Sequence, residues 1–256
     1  MSNEISKQST PEEIELEAKR RELASLEEQV SERELELATS RAKLHRFEAT
    51  YLQEVGIYLT ELDELTAQVA EKLAAKSPGD EAAQAEAKEA REQAEESYGA
   101  TENLDEDAHA ENSFEPSAEF QSLYRMAARK FHPDTTTDEN ERKERKKIMA
   151  EINRLYAEGK EDELRESVER YSKRPEAVEG QGIAFDFVRA VRKIDQLRQR
   201  LVAIEKELGE LHESHLFELF RQITEAKKEG RDLVRDMQAS LKAEIQDTKE
   251  QLATLG

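Results

Sequence analysis

Apolar residues recur at every seventh position through the first quarter of the chain. Strict seven-residue spacing is typical of a coiled-coil helix, because it keeps one apolar seam along one side. The segment Ser9–Glu13 carries a helix-start signal, and Ser77–Asp80 contains the residues that end a helix. Residues 11–76 are therefore predicted to be a coiled coil that follows a disordered N-terminus at 1–10. The repeat consists of Leu16, Leu23, Val30, Leu37, Leu44, Tyr51, Tyr58 and Leu65.

A second heptad pattern predicts another coiled coil over residues 186–256, after a linker at 174–185. Its register slips near His212, and Gly230 lies inside it, where a glycine weakens a helix by up to ~1 kcal/mol. Because an apolar seam is not stable in water without a partner, the two rods must pair. They either pair antiparallel within one chain, the arrangement we favour, or pair between chains in a homodimer. Before the slip, the repeat contains Ile194, Leu197, Leu201, Ile204, Leu208 and Leu211.

The stretch that follows the first rod is strongly acidic. Residues 77–119 hold 14 acidic and 2 basic side chains, and residues 81–97 are rich in Ala and Glu without a large apolar residue. Such a segment has little to bury, so residues 77–117 are predicted to be a solvated or disordered linker. An acidic docking segment is the alternative for this region.

Residues 118–173 have the pattern of a small helical domain. Apolar residues spaced three and four apart predict a helix that ends at His132, because a residue before proline avoids the helical conformation. Further helices are predicted from about 139 to 157 and from 162 to 171, which gives an antiparallel pair with an exposed loop. The chain is thus predicted to be all-α, with two coiled coils flanking this hairpin. The apolar residues of the first helix are Phe120, Leu123, Tyr124, Ala127 and Phe131.

Composition narrows the function classes. A net charge of −20 argues against binding to nucleic acid or an anionic membrane, whose phosphates would repel the chain. The absence of cysteine excludes a thiol nucleophile, a disulfide framework and a cysteine-ligated metal. The sequence also lacks the phosphate-binding P-loop motif, HExxH and GxSxG. We therefore expect a non-enzymatic protein without a metal or a cofactor. Because the N-terminus has no apolar signal region and the sequence has no run of ~18 apolar residues, we also expect it to be cytoplasmic.

Two short segments carry a family resemblance. LYRMAARKFHPD at 123–134 resembles helix II and the His-Pro-Asp loop of J-domain co-chaperones, and AEINRLYAEG at 150–159 resembles their helix III. In that family a helix I precedes these elements, whereas residues 105–117 are acidic and poor in apolar side chains. Helix I is therefore either missing or replaced by a coiled-coil helix that covers the same face.

The resemblance implies a partner and a role. J-domains bind DnaK-type (heat-shock 70) chaperones, stimulate their ATP hydrolysis and deliver clients to them. The chain would then recruit such a chaperone, while its coiled coils bind a client protein. The contact would be made by the turn and by the basic side of the preceding helix, that is, by His132, Pro133, Asp134, Arg125, Arg129 and Lys130.

Each of these features also has a plain structural interpretation. The His-Pro-Asp tripeptide can be only a turn signal, and the basic residues can be only a solvated helix face. The alternative function is then a coiled-coil scaffold whose J-like hairpin does not stimulate an ATPase.

Overall fold

A computed structural model of the chain describes residues 10–102, 114–172 and 182–255. These residues are helical with short connections, and no strand occurs among them, so the predicted all-α class is confirmed. No described helix combines the length and the apolar content that crossing a bilayer requires. The helices are α1 (Pro11–Tyr51), α2 (Ile57–Lys76), α3 (Glu81–Glu102), α4 (Ala118–Phe131), α5 (Glu139–Ala157), α6 (Glu161–Ser172), α7 (Ile183–His212), α8 (His215–Lys228) and α9 (Leu233–Leu255).

The chain divides into two compact units that each combine remote parts of the sequence. The first unit takes Met1–Ala42 and Phe114–Glu213, and the second takes Lys43–Ser113 and Ser214–Gly256. The boundary between them therefore falls inside α1. A π-helical turn, Leu52–Gly56, joins α1 to α2, so the helical stretch that begins at Pro11 ends at Lys76.

In the first unit, α1 and α7 lie side by side and run in the same direction. Ion pairs join Arg20 to Asp186 at 3.0 Å and Arg41 to Glu207 at 2.8 Å, and the partners in both pairs are 166 residues apart. Because the sequence separation between contacting residues is the same at both pairs, residue numbers increase in the same direction along the two helices. The helices are therefore parallel. The favoured antiparallel arrangement is wrong here, although the seam does close within one chain. The buried seam consists of Leu26, Val30, Leu37, Ile194, Leu197, Ile204 and Leu208.

The remainder of the first unit is a hairpin of α4 and α5, followed by α6. Ser117 caps α4 and Asp138 caps α5, each by accepting a hydrogen bond from a backbone N–H of the first turn. Tyr156 on α5 lies in an aromatic cluster, with its hydroxyl 3.0 Å from Thr39 Oγ1 on α1. The centroid of its ring lies 4.6 to 5.3 Å from those of Phe114, Phe120 and Tyr124. The hairpin is therefore packed against α1 as well as on itself.

In the second unit, α2 and α3 form an antiparallel hairpin, so residues 81–102 are a packed helix and not part of the solvated or disordered linker predicted for residues 77–117. Ala70, Ala74 and Ala87 form a buried cluster, because small side chains let the two helices approach closely. Arg91 of α3 also bridges Glu64 and Glu71 of α2, at 2.6 and 2.8 Å. Residues 103–113, the rest of the acidic segment before Phe114, lie outside the described residues, as do 1–9 and 173–181.

The C-terminal heptad segment is three helices rather than one rod. α7 ends at His212, Ser214 caps α8 by accepting from Phe217 N, and α8 ends before Gly230. Gly230 has φ +76, a left-handed conformation that ends a helix, and Arg231 N donates back to Ala226 O at 2.9 Å. The prediction that Gly230 lies within a continuous helix is therefore wrong.

Candidate functional site

The His-Pro-Asp segment leads into a single 3-10 turn between α4 and α5. Pro133–Thr135 make the turn, and His132 before it has an extended backbone with φ −60 and ψ 131. The carbonyl of His132 accepts from the backbone N–H of Thr135 at 3.1 Å and from its hydroxyl at 2.7 Å. Arg145 of α5 donates to the same carbonyl at 3.4 Å. The turn is thus held by its own backbone and by the helix that follows it.

His132 is buried, with 4% of its surface exposed, and both of its ring nitrogens have partners. The backbone N–H of Asp134 donates to Nδ1 at 3.1 Å, so the neutral ring that fits this contact carries its hydrogen on Nε2. Nε2 lies 2.9 Å from Oε1 of Glu34 on α1 and donates to it. The expectation of an exposed loop is therefore wrong for His132, because α1 packs against the turn and its Glu34 forms a hydrogen bond with the His132 ring.

Glu34 is a buried carboxylate, and Arg200 of α7 balances its charge. Nε of Arg200 donates to the same Oε1 atom at 2.7 Å. Burial alone would raise the pKa of Glu34, but the hydrogen bonds from His132 and Arg200, together with the positive charge of Arg200, outweigh it, so the pKa is lowered. Arg200 also donates to Glu207 at 2.7 Å, and Glu207 accepts from Arg41 at 2.8 Å. Four alternating charges thus join α1 and α7 behind the histidine.

The other two residues of the tripeptide are partly exposed. The Asp134 side chain is 29% exposed, and its Oδ2 lies 3.8 Å from Nδ1 of His132. With its amide nitrogen turned toward the turn, Gln196 of α7 donates to the carbonyl of Asp134 at 3.1 Å. Pro133 is partly exposed between them. The carboxylate of Asp134 is therefore accessible to a partner.

The predicted basic residues of α4 differ in their surroundings. Arg129 donates to Glu28 of α1 at 2.7 Å, and its side chain is 45% exposed. Lys130 is exposed, with its ammonium 5.6 Å from the centroid of the Phe131 ring. Arg125, one turn before Arg129, is partly exposed. A partner that binds Arg129 must therefore compete with Glu28.

Sequence reasoning missed Glu34 and Arg200, the two residues that enclose the histidine. Both carry a detectable signal, since each is a charged residue on the apolar side of its helix. Glu34 comes four residues after Val30 and three before Leu37, and Arg200 comes three residues after Leu197 and four before Ile204. A charge in such a position indicates a buried partner.

The described residues contain no cluster of three or more histidine, aspartate or glutamate side chains arranged to hold a metal ion. Comparison of the whole chain with protein-family models, with curated proteins and with solved structures gave no significant match.

Proposed function

We propose that the protein is a non-enzymatic adaptor that recruits a DnaK-type chaperone through the α4–turn–α5 hairpin and stimulates its ATPase. The observation that carries the proposal is the arrangement of this hairpin: a basic helix ends at Phe131, His132 follows as the cap of a 3-10 turn that begins with Pro133 and Asp134, and an antiparallel helix comes next. The resemblance of residues 123–134 and 150–159 to J-domains supplies the identity of the partner.

Charge supports the same role. An acidic groove on a chaperone can meet Arg125 and Lys130 through charge-assisted contacts, and Asp134 can accept from an arginine of the partner. The hydrolysed bond belongs to the ATP bound by the chaperone, so the adaptor needs no catalytic group of its own. Its contribution is to bind one conformational state of the chaperone more tightly than the other, which shifts the chaperone toward that state.

A steady-state ATPase assay with a DnaK-type chaperone from the same cell tests the proposal. Asp134→Asn removes the exposed charge and leaves the buried contacts of His132 in place, so we expect it to abolish stimulation. Glu139→Gln is the matched control, since Glu139 is an exposed acid of the same loop region at 69% side-chain exposure. Stimulation by the Asp134→Asn protein equal to that of the wild type would refute this role for the turn.

A structural scaffold is the second candidate, and the burial of His132 favours it. If the tripeptide serves only to connect α4 to α5 against α1 and α7, the wild-type chain will not stimulate the chaperone. Glu34→Ala, which removes the acceptor of His132, will then not stimulate it either. Stimulation by either protein would exclude the scaffold function as the whole role of the hairpin.

A further inference from the structure

The part of α1 that lies beside α4 and the turn is acidic. Residues 27–36, the acidic stretch, hold five glutamates and one arginine. Glu28 accepts from Arg129 of α4 at 2.7 Å, and Glu27 lies 3.9 Å from Nε of the same guanidinium. Further along α1, Glu34 accepts from Nε2 of His132 at 2.9 Å. Three carboxylates of the acidic stretch are therefore placed against two residues of the proposed chaperone contact.

The contacts of Glu27 and Glu28 differ from those by which α1 packs on the hairpin. Ala42 belongs to the buried cluster of the hairpin, and Leu35 and Ala38 pack against that cluster. Glu28, by contrast, is 50% exposed in its ion pair with Arg129. An exposed ion pair is weak, because water solvates both charges. Arg129 can therefore exchange Glu28 for another carboxylate while the apolar packing of α1 on the hairpin stays in place.

We propose that the acidic stretch of α1 competes with the DnaK-type chaperone for the basic side of α4 and so lowers the affinity of the contact. This inference rests on the proposed function, since it concerns regulation of the same surface. Glu27 and Glu28 bind Arg129 with the same chemistry that an acidic groove of the chaperone would use. Glu34 likewise occupies the ring of His132. The chaperone must displace these carboxylates before it can use the two side chains.

The competition leaves part of the contact accessible. The Asp134 side chain is 29% exposed, and Lys130 and Met126 of α4 are exposed. An encounter with the chaperone can begin at these residues while α1 still holds Arg129 and His132. The apparent affinity is then reduced in proportion to the fraction of molecules in which the contact is released. We therefore expect the acidic stretch to set the affinity for the chaperone and to leave the ATPase rate of the assembled complex unchanged.

Removing one carboxylate from the acidic stretch tests the proposal in the steady-state ATPase assay, with the full chain and a DnaK-type chaperone from the same cell. Glu28→Gln frees Arg129 from its ion pair. We expect the concentration of this variant that gives half-maximal stimulation to be at least twofold lower than for the wild type, with the same plateau rate. Glu36→Gln is the matched control, because Glu36 is 46% exposed on the same helix and pairs with Arg33 of α1. It should behave as the wild type does.

Salt dependence gives a second readout of competition. When the wild-type chain binds the chaperone, Arg129 exchanges one ion pair for another, whereas in Glu28→Gln it forms an additional one. Salt screens exposed ion pairs. The affinity of Glu28→Gln for the chaperone should therefore fall more steeply with added salt than the affinity of the wild type, and Glu36→Gln should keep the wild-type dependence.

The outcomes separate this proposal from the adaptor function on which it rests. If the wild type stimulates the chaperone and Glu28→Gln has the same half-maximal concentration, the competition is refuted and the adaptor function stands. An equal gain in Glu28→Gln and Glu36→Gln would show a general effect of charge and would also refute the competition. If neither the wild type nor Glu28→Gln stimulates the chaperone, both proposals fail.

Discussion

Glu34 shows what a single buried charge requires from the rest of the chain. Its carboxylate, 5% exposed, accepts from a neutral imidazole and from a guanidinium, and these groups come from residues 98 and 166 positions away. An ionised carboxylate without such partners would not remain charged in the interior. The turn and the parallel helix pair are therefore coupled through one side chain.

Replacing Glu34 by glutamine should lower the free energy of unfolding by about 1–3 kcal/mol. The amide oxygen can still accept from His132, but the uncharged group no longer balances Arg200. Urea unfolding followed by circular dichroism measures the effect. Glu32→Gln is the matched control, because Glu32 is exposed on the same helix and its loss should cost less than ~0.5 kcal/mol. Equal effects of the two changes would contradict the buried role of Glu34.

The lowered pKa of Glu34 also predicts how its contribution depends on pH. A carboxyl whose pKa is lower in the folded state than in the unfolded state stabilises fully above its unfolded value, here 4.5. That contribution is lost as the pH falls through the lowered pKa. The difference in unfolding free energy between the wild type and Glu34→Gln should thus be constant near neutral pH and shrink in acid below that value. If the difference in unfolding free energy between the wild type and Glu34→Gln grew in acid, the pKa of Glu34 would be raised on folding and not lowered.

At the scale of the element, the Ala-rich seam of α2 and α3 shows that large apolar residues are not required to hold a hairpin. Ala87 is buried where the two helices approach, so Ala87→Leu should force them apart and cost about 1–3 kcal/mol. Ala85→Leu adds the same side chain at an exposed position of α3 and should change stability by less than ~0.5 kcal/mol. Thermal unfolding of both variants distinguishes the packed position from the solvated one.

The helices that sequence periodicity predicts are those with regularly spaced, large apolar residues. Heptads in α1 and α7 and the three–four spacing in α4 were sufficient to place helices there, and Ser117 and Pro133 mark the ends of α4. The packing of residues 81–102 is not predictable in this way, because alanine gives a weak apolar signal, although the helix buries Ala87 and Ala94. The apolar pattern places Gly230 inside a helix, because a glycine can adopt either a helical or a positive φ and the sequence does not say which. In the structure its φ is positive, and the helix ends before it.

The candidate turn was found from its sequence, but its surroundings were not. Nothing local to residues 132–134 indicates that α1 and α7 lie against them, since Glu34 and Arg200 are remote in sequence. The only local signal is that Glu34 and Arg200 are charged residues on the apolar sides of their helices. That signal identifies the partner of each residue only once it is known which helices pack together. Long-range proximity of this kind follows from the packing of the whole unit.

At the scale of the whole chain, the direction of helix pairing is the property that heptads leave open. An apolar seam fits its partner in either direction, so the charges beside it decide. Here Arg20 with Asp186 and Arg41 with Glu207 are satisfied together only when α1 and α7 run in parallel. The chain therefore closes its own apolar seam, which includes residues from Leu26 to Leu37 of α1 and from Ile194 to Leu208 of α7.

Cross-linking tests the parallel pairing within one chain. In an Arg20→Cys/Asp186→Cys protein, a short bis-maleimide should join the two helices at high dilution, which adds the mass of one reagent to the protomer and forms no covalent dimer. An Arg20→Cys/Glu207→Cys protein is the control, because those positions lie together only if the helices are antiparallel. The two exposed sites of the first pair, at 55% and 40% side-chain exposure, allow labelling without unfolding. Efficient internal cross-linking of the control, and none of the first pair, would show that α1 and α7 run in opposite directions.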